Sequence, residues 1–187
     1  VALDGFDVLA ISFASPGIAK EWGIDRAALG IVLSMELIGM ALGSFALGGV
    51  ADRIGRRPTI LGCLVLMTVG MFLATTPRGV ESMSLYRFIT GVGIGGMLAA
   101  ISAVAAECAS NRRRNLAVTL MAAGYPLGAV SGGMIATQLL ARGEWRSVFM
   151  FGGFVTAACI PLVLWLMPES VSYLLERRPA NALARVN

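Results

Sequence analysis

The sequence predicts an all-α, polytopic membrane protein with six transmembrane helices. Three observations carry that prediction. Only 14% of the 187 residues are charged and 57% are hydrophobic, whereas a soluble domain has about 25% charged residues. The apolar residues fall into six runs, each near the roughly 20 residues that a helix needs to cross a bilayer. Glycine (23) and methionine (10) are both abundant, and both suit closely packed helices in lipid.

The six spans are expected at roughly 1–19, 28–51, 58–76, 84–107, 115–140 and 146–167. Short connections with turn or charge signals separate them: "KEWGIDRA", "DRIGRRP", "TPRGVES", "ASNRRRN" and "ARGEWR". Span three opens at Pro58, where a helix start tolerates proline. Residues 1–167 therefore form one helical bundle, and 168–187 begin a linker beyond it. The first residues lack a Met and a basic stretch, so they do not read as a signal peptide. Helix one is expected to begin upstream of residue 1.

Positive charge orients the bundle. Arg53, Arg56, Arg57, Arg112, Arg113, Arg114, Arg177, Arg178 and Arg185 lie on one side, against Lys20, Arg26, Arg78, Arg142 and Arg146 on the other. The arginine-rich side is expected to be cytoplasmic, with the chain end at residue 187 inside. Span two, "GMALGSFALGG", resembles span five, "GYPLGAVSGG", through Gly39, Leu42 and Gly43 against Gly124, Leu127 and Gly128. The two run in opposite directions, as inverted three-helix repeats require; a chance match of two glycine-rich helices is the alternative.

Several function classes are set aside. The basic residues sit in short clusters between apolar runs, so no nucleic-acid partner is expected. Cys63, Cys108 and Cys159 are far apart, which suggests small buried hydrophobes rather than a disulfide framework or a metal site. There is no histidine, so proton chemistry must use carboxylates. "GVGIGG" lies inside an apolar run, where packing explains its glycines better than nucleotide binding. No cofactor, metal or enzymatic activity is expected.

Charges inside spans mark function. Asp4 and Asp7 are three residues apart and share a helix face. With span one ending near Ile18, Asp4 lies about 21 Å from its outer end, within the membrane and toward its cytoplasmic third. The alternative is that Asp4 caps a helix starting at Val1. A carboxylate at such depth costs several kcal/mol unless protonated, paired or wetted, which suits it to carrying protons. Glu36 and Arg87 have similar expected depths in spans two and four and can pair. Arg87 either attracts an anionic substrate, or serves in a buried ion pair or snorkels to the surface. Glu107, a few residues before the arginine run, reads most simply as a helix-end ion pair.

The most specific local signal is "GGVADRIGRRP", residues 48 to 58. Gly48, Asp52, Arg53, Gly55, Arg56 and Arg57 fit Gly-x-x-x-Asp-Arg-x-Gly-Arg-Arg. This resembles the loop signature of the major facilitator superfamily, between its second and third helices. "LYRFITGVGIGG" resembles the family's fourth helix, "AAEC" with the following arginines the end of that helix, and "MPESVSYLLERR" the segment after helix six. The resemblance implies one half of a twelve-helix bundle, built from 3+3 inverted repeats, with helices seven to twelve supplied by a C-terminal half.

Within the superfamily, "DGFD" is similar to the Asp-Gly-x-Asp element of the aromatic acid:proton symporters. Asp4 and Asp7 match both aspartates, Pro16 fits a later proline, and "EWGIDRAALG" is similar to that branch's first outer loop. Sugar porters share the "GRR" loop and the "PES" segment, but "TLMAAGYPLG" lacks their glutamine element. The fit to drug antiporters after Pro126 is poor. The resemblance thus implies proton-coupled symport of an aromatic or other small organic acid across a bacterial inner membrane. Asp4, Asp7, Arg87 and Glu36 would serve coupling or substrate. Gly48, Asp52, Arg53, Gly55, Arg56, Arg57, Glu107 and Arg113 would form a cytoplasmic gate. The alternatives are a sugar, polyol or other solute porter, and a six-helix module that does not transport.

Overall fold

The computed structural model describes residues 1–109 and 114–167, without the side chains of residues 107, 108, 114 and 142. Six helices run in order: α1 (Ala2–Trp22), α2 (Arg26–Ile54), α3 (Arg56–Leu73), α4 (Val80–Cys108), α5 (Arg114–Arg142) and α6 (Arg146–Leu166). All six are long and apolar enough to cross a membrane. They match the expected spans to within a few residues, the main change being that α1 runs on to Trp22. Residues 168–187, Arg112 and Arg113, and the side chain of Glu107 lie outside the described residues.

Local chemistry sets the boundaries. Gly23 ends α1 at φ 61 and ψ 28, the left-handed cap that glycine adopts without a Cβ clash. Asp25 then caps α2 by accepting the Ala28 amide at 2.9 Å, satisfying one of the free amides of its first turn. Gly55 breaks α2 from α3 at φ 110, a backbone conformation that side chains strongly disfavour. Pro58 sits in the first turn of α3, where no helical partner is lost. The Ser82 hydroxyl accepts the Arg78 and Gly79 amides at 2.9 and 3.1 Å at the start of α4. Pro16, Pro126 and Pro161 lie inside helices, which membrane bundles tolerate.

The helices associate through backbone, because lipid removes the hydrophobic drive between them and leaves close packing to hold them. α2 packs most extensively on α4, with Gly39 and Gly43 against the Phe88 and Val92 carbonyls and Gly91 against the Glu36 carbonyl. α1 packs on α5 in the same manner, with Gly128 against the Ala2 carbonyl, Gly132 against Phe6 and Gly5 against the Tyr125 carbonyl. The two sets advance in step: Gly39 corresponds to Gly128, Gly43 to Gly132, Gly91 to Gly5. α3 on α4 is matched by α6 on α1, and α3 packs on α6. This is the packing of two inverted three-helix repeats. The sequence likeness between spans two and five is therefore one turn out of register: Gly39 pairs with Gly128 in the repeat, not with Gly124.

The repeat also locates the aspartates. Since Gly5 corresponds to Gly91, Asp4 corresponds to Thr90, Asp7 to Gly93 and Val1 to Arg87. Arg87 touches Asp7, so Asp4 falls within about one turn of the level relating the two repeats. Two apolar cores flank that level. One gathers Ile11, Ile18, Met83, Trp145, Val148 and Phe149; the other gathers Ala51, Ile60, Leu64, Met67, Ile94 and Met97. Cys63 is buried in the second core and Cys159 packs against it, both as free thiols.

A Cβ on Gly43 would lie 2.7 Å from Val92 Cα, while one on Gly30 or Gly62 meets nothing within 4 Å. Gly43→Ala should destabilise the bundle by about 1–3 kcal/mol through overpacking. Gly62→Ala should be neutral or stabilising by up to about 1 kcal/mol through helix propensity. Thermal unfolding in detergent checks the contrast, and equal effects at the two positions would contradict the backbone packing described here.

Candidate functional site: a buried charged belt

Between the two cores lies a belt of buried polar side chains: Asp4, Asp7, Glu36, Arg87, Thr90 and Thr156. Four helices deliver them. Arg87, on α4, is fully buried. Its Nε donates to Glu36 Oε2 at 3.2 Å, and its Nη2 donates to Glu36 Oε1 and to the Asp7 carbonyl, the latter at 2.7 Å. Nη1 contacts the Met71 sulfur at 3.4 Å. The guanidinium also lies 5.7 Å from the centre of the Phe149 ring, a cation–π distance. One side chain thus ties α4 to α1, α2, α3 and α6. Glu36 and Arg87 meet as their expected depths suggested, and full burial rules out snorkelling.

The two-pronged pair forms because Gly39 and Gly91 let α2 and α4 approach at backbone distance. A planar guanidinium matches a carboxylate in two parallel hydrogen bonds, which offsets much of the cost of burying both charges.

The aspartates lack such partners. Asp7 Oδ2 lies 3.5 Å from the Thr156 hydroxyl, but that hydroxyl donates to the Gly152 carbonyl at 2.7 Å. With one proton to give, Thr156 serves the shorter bond. Asp7 Oδ1 and Asp4 Oδ1 are buried with no hydrogen-bond donor among the described residues. Asp4 Oδ2 lies 3.0 Å from the Val1 nitrogen. Among the described side chains of the belt, three carboxylates face one guanidinium, and Arg87 reaches Asp7 through its backbone rather than its carboxylate.

The loop signature lies apart from the belt, at the end where α2 meets α3. Asp52 and Arg56 pair at 2.8 Å, with the Asp52 side chain 66% exposed. Arg57 Nη2 donates to the Leu164 carbonyl at 2.5 Å, tying α3 to the last turn of α6. Thr59 donates to the Gly55 carbonyl at 2.8 Å and steadies the break. Gly48 would meet only the Ala99 methyl, at 3.6 Å, and Arg53 is exposed. Glu107 and Arg113, assigned to the same gate, lie outside the described residues.

At the opposite end a cluster appears that sequence reasoning missed. Glu21 accepts Arg146 Nη1 and Nη2 at 2.9 and 2.6 Å and the Trp145 indole at 2.6 Å. Arg146 also stacks 4.5 Å from the Trp145 ring centre. It clamps the end of α1 to the start of α6. "ARGEWR" reads as a loop, and nothing local reveals that its Trp and Arg converge on a carboxylate far away in sequence. Phe149, Met71 and Thr156 were missed likewise. Their only signal is polarity or polarisability inside an apolar run.

Comparison with known proteins agrees with this architecture. The sequence profile of the Major Facilitator Superfamily matches residues 1–185. The chain is 33% identical over 185 residues to a gallate transporter of Pseudomonas putida, covering 98% of this chain and 41% of the relative. It is 34% identical over 185 residues to the 4-hydroxybenzoate transporter PcaK of Pseudomonas aeruginosa, covering 99% and 41%. The proton:xylose symporter XylE shares the fold at a TM-score of 0.86 and 19% identity, over 99% of this chain and 46% of that one. The chain thus spans about two fifths of the length of the curated relatives it matches.

Removing one member of the buried pair leaves the other uncompensated. Arg87→Met alone should destabilise the bundle by about 3–5 kcal/mol, and adding Glu36→Met should restore much of the loss. Thermal unfolding of the two single variants and the double variant gives the coupling; additive losses would show that the pair does not act as a unit. Six membrane-crossing helices in two inverted repeats, the "DRIGRR" loop, and a profile match across nearly its whole length establish that the chain belongs to the Major Facilitator Superfamily.

Proposed function

We propose that the chain is the N-terminal half of a proton-coupled importer of small aromatic acids that works by alternating access. One observation carries the reading: Arg87 is fully engaged by Glu36 and the Asp7 backbone, while the buried Asp7 carboxylate has no good donor and Asp4 meets the Val1 nitrogen rather than Arg87. A belt with more carboxylates than cations is relieved by binding protons. In this arrangement Asp7 holds a proton. When the proton leaves, the Asp7 carboxylate competes with Glu36 for Arg87, whose Nη2 already contacts the Asp7 backbone. An incoming substrate carboxylate competes for the same guanidinium. Proton and substrate are then linked through one cation, and each changes the other's affinity reciprocally.

The aromatic-acid class is supported by the relatives, which are named as gallate and 4-hydroxybenzoate transporters, and by "DGFD" in α1. A second six-helix half would complete the substrate site and meet the exposed Asp52 of the Asp52–Arg56 pair. That pair, with Arg53 and Arg57, and with Glu107 and Arg113 beyond the described residues, would latch the gate in one state. Residues 168–187 would begin the linker between the halves. The arginine bias supports placing the "DRIGRR" end and residue 187 in the cytoplasm, in a bacterial inner membrane.

The test is uptake of labelled 4-hydroxybenzoate by cells expressing the complete transporter, with and without a proton uncoupler. Uptake should collapse with the uncoupler, and Asp4→Asn and Asp7→Asn should each abolish accumulation while membrane abundance is unchanged. Uptake insensitive to the uncoupler sinks proton coupling. No uptake by a protein present in the membrane sinks 4-hydroxybenzoate as the substrate, and uptake of another labelled organic acid or of labelled xylose would then point to that acid or to a sugar porter.

A further inference from the structure

Tyr125 stands beside the belt and takes no part in its ion pair. It lies in the middle of α5, half-buried, and among the described residues no hydrogen bond uses its hydroxyl. A tyrosine in a membrane helix normally sits at the interface, where its hydroxyl is wet, or finds a hydrogen-bond partner. Neither applies at mid-helix here.

The backbone fixes where Tyr125 stands. Its carbonyl abuts Gly5, the residue after Asp4. Tyr125, Gly128 and Gly132 are spaced to share one face, and both glycines of that face meet α1. In the repeat Tyr125 is the counterpart of Glu36, so the two flank the α1–α4 pair from opposite sides. Tyr125 is half-buried on the α5 face whose glycines meet α1, rather than turned wholly to lipid. Side chains lean toward the start of their own helix, and α1 and α5 run parallel. The phenol therefore lies on the Val1 side of Asp4, whereas Arg87 lies on the Asp7 side.

A hydroxylated aromatic acid carries a carboxylate and a polar substituent at opposite ends of a rigid ring. From this match we infer that Tyr125 is a specificity-determining residue: its hydroxyl hydrogen-bonds the ring substituent of an aromatic acid whose carboxylate is drawn toward Arg87. This rests on the aromatic-acid reading above. The benefit is selective, because unsubstituted benzoate has nothing for the phenol to meet. A site that bonds a substrate hydroxyl discriminates against the analogue lacking it.

The test compares 4-hydroxybenzoate with benzoate in the complete transporter, wild type against Tyr125→Phe. The variant deletes only a hydroxyl that makes no bond among the described residues, and immunoblotting of membranes checks its abundance. The half-saturation concentration for 4-hydroxybenzoate should rise about five- to tenfold, the loss of one hydrogen bond, while that for benzoate changes less than twofold. No change for either acid, or equal loss for both, overturns the assignment. A wild-type protein that carries neither acid overturns the aromatic-acid reading instead, and does so before the variant is measured.

Discussion

A guanidinium held entirely inside a lipid-solvated bundle constrains everything around it. Arg87 cannot remain there without partners, since an unpaired charge at such depth costs several kcal/mol. It is held by Glu36 from α2, the Asp7 backbone from α1, the Met71 sulfur from α3 and the Phe149 ring from α6. Among the described residues, α5 contributes no contact to it. The other helices must therefore converge at one level, and the two apolar cores divide at that level.

The convergence depends on glycine. Lipid tails are as apolar as leucine, so only close backbone approach and polar contacts hold membrane helices together. Gly39, Gly43 and Gly91 remove the Cβ atoms that would separate α2 from α4. Gly5, Gly128 and Gly132 do the same for α1 and α5. The scaffold is thus nearly symmetric, but the chemistry placed on it is not. Where one repeat has Glu36 the other has Tyr125, and where one has Thr90 the other has Asp4. A symmetric frame carries an asymmetric belt, which gives that belt a direction along the membrane normal.

The belt has more acid than base, and this separates structure from function within it. Glu36 and Arg87 satisfy each other and stabilise the bundle. Asp7 gains nothing comparable from its surroundings: Thr156 gives its proton to Gly152, and Arg87 takes the Asp7 carbonyl rather than its carboxylate, while Asp4 meets the Val1 nitrogen rather than Arg87. Buried acids that packing does not need are the groups best suited to bind and release protons. The ends of the bundle divide differently. Glu21, Trp145 and Arg146 make a compact clamp within this half, whereas Asp52 and Arg56 pair at an exposed surface.

The linear chain by itself determined the class of fold, the six spans and the family, and it suggested the repeat without fixing it. These follow from local quantities: run length, charge content, a loop with fixed spacing, and the three-residue interval that puts Asp4 and Asp7 on one face. It also marked Glu36 and Arg87, because charge inside an apolar run is conspicuous. Only the tertiary structure decided the register of the repeats, since glycines recur every few residues along both helices and one turn of slip looks alike in sequence. It alone decided that Arg87 belongs to Glu36 rather than to the aspartates, and that Trp145 and Arg146 find Glu21. Partner choice depends on which helix faces approach closely, and that is settled by packing between segments distant in the chain.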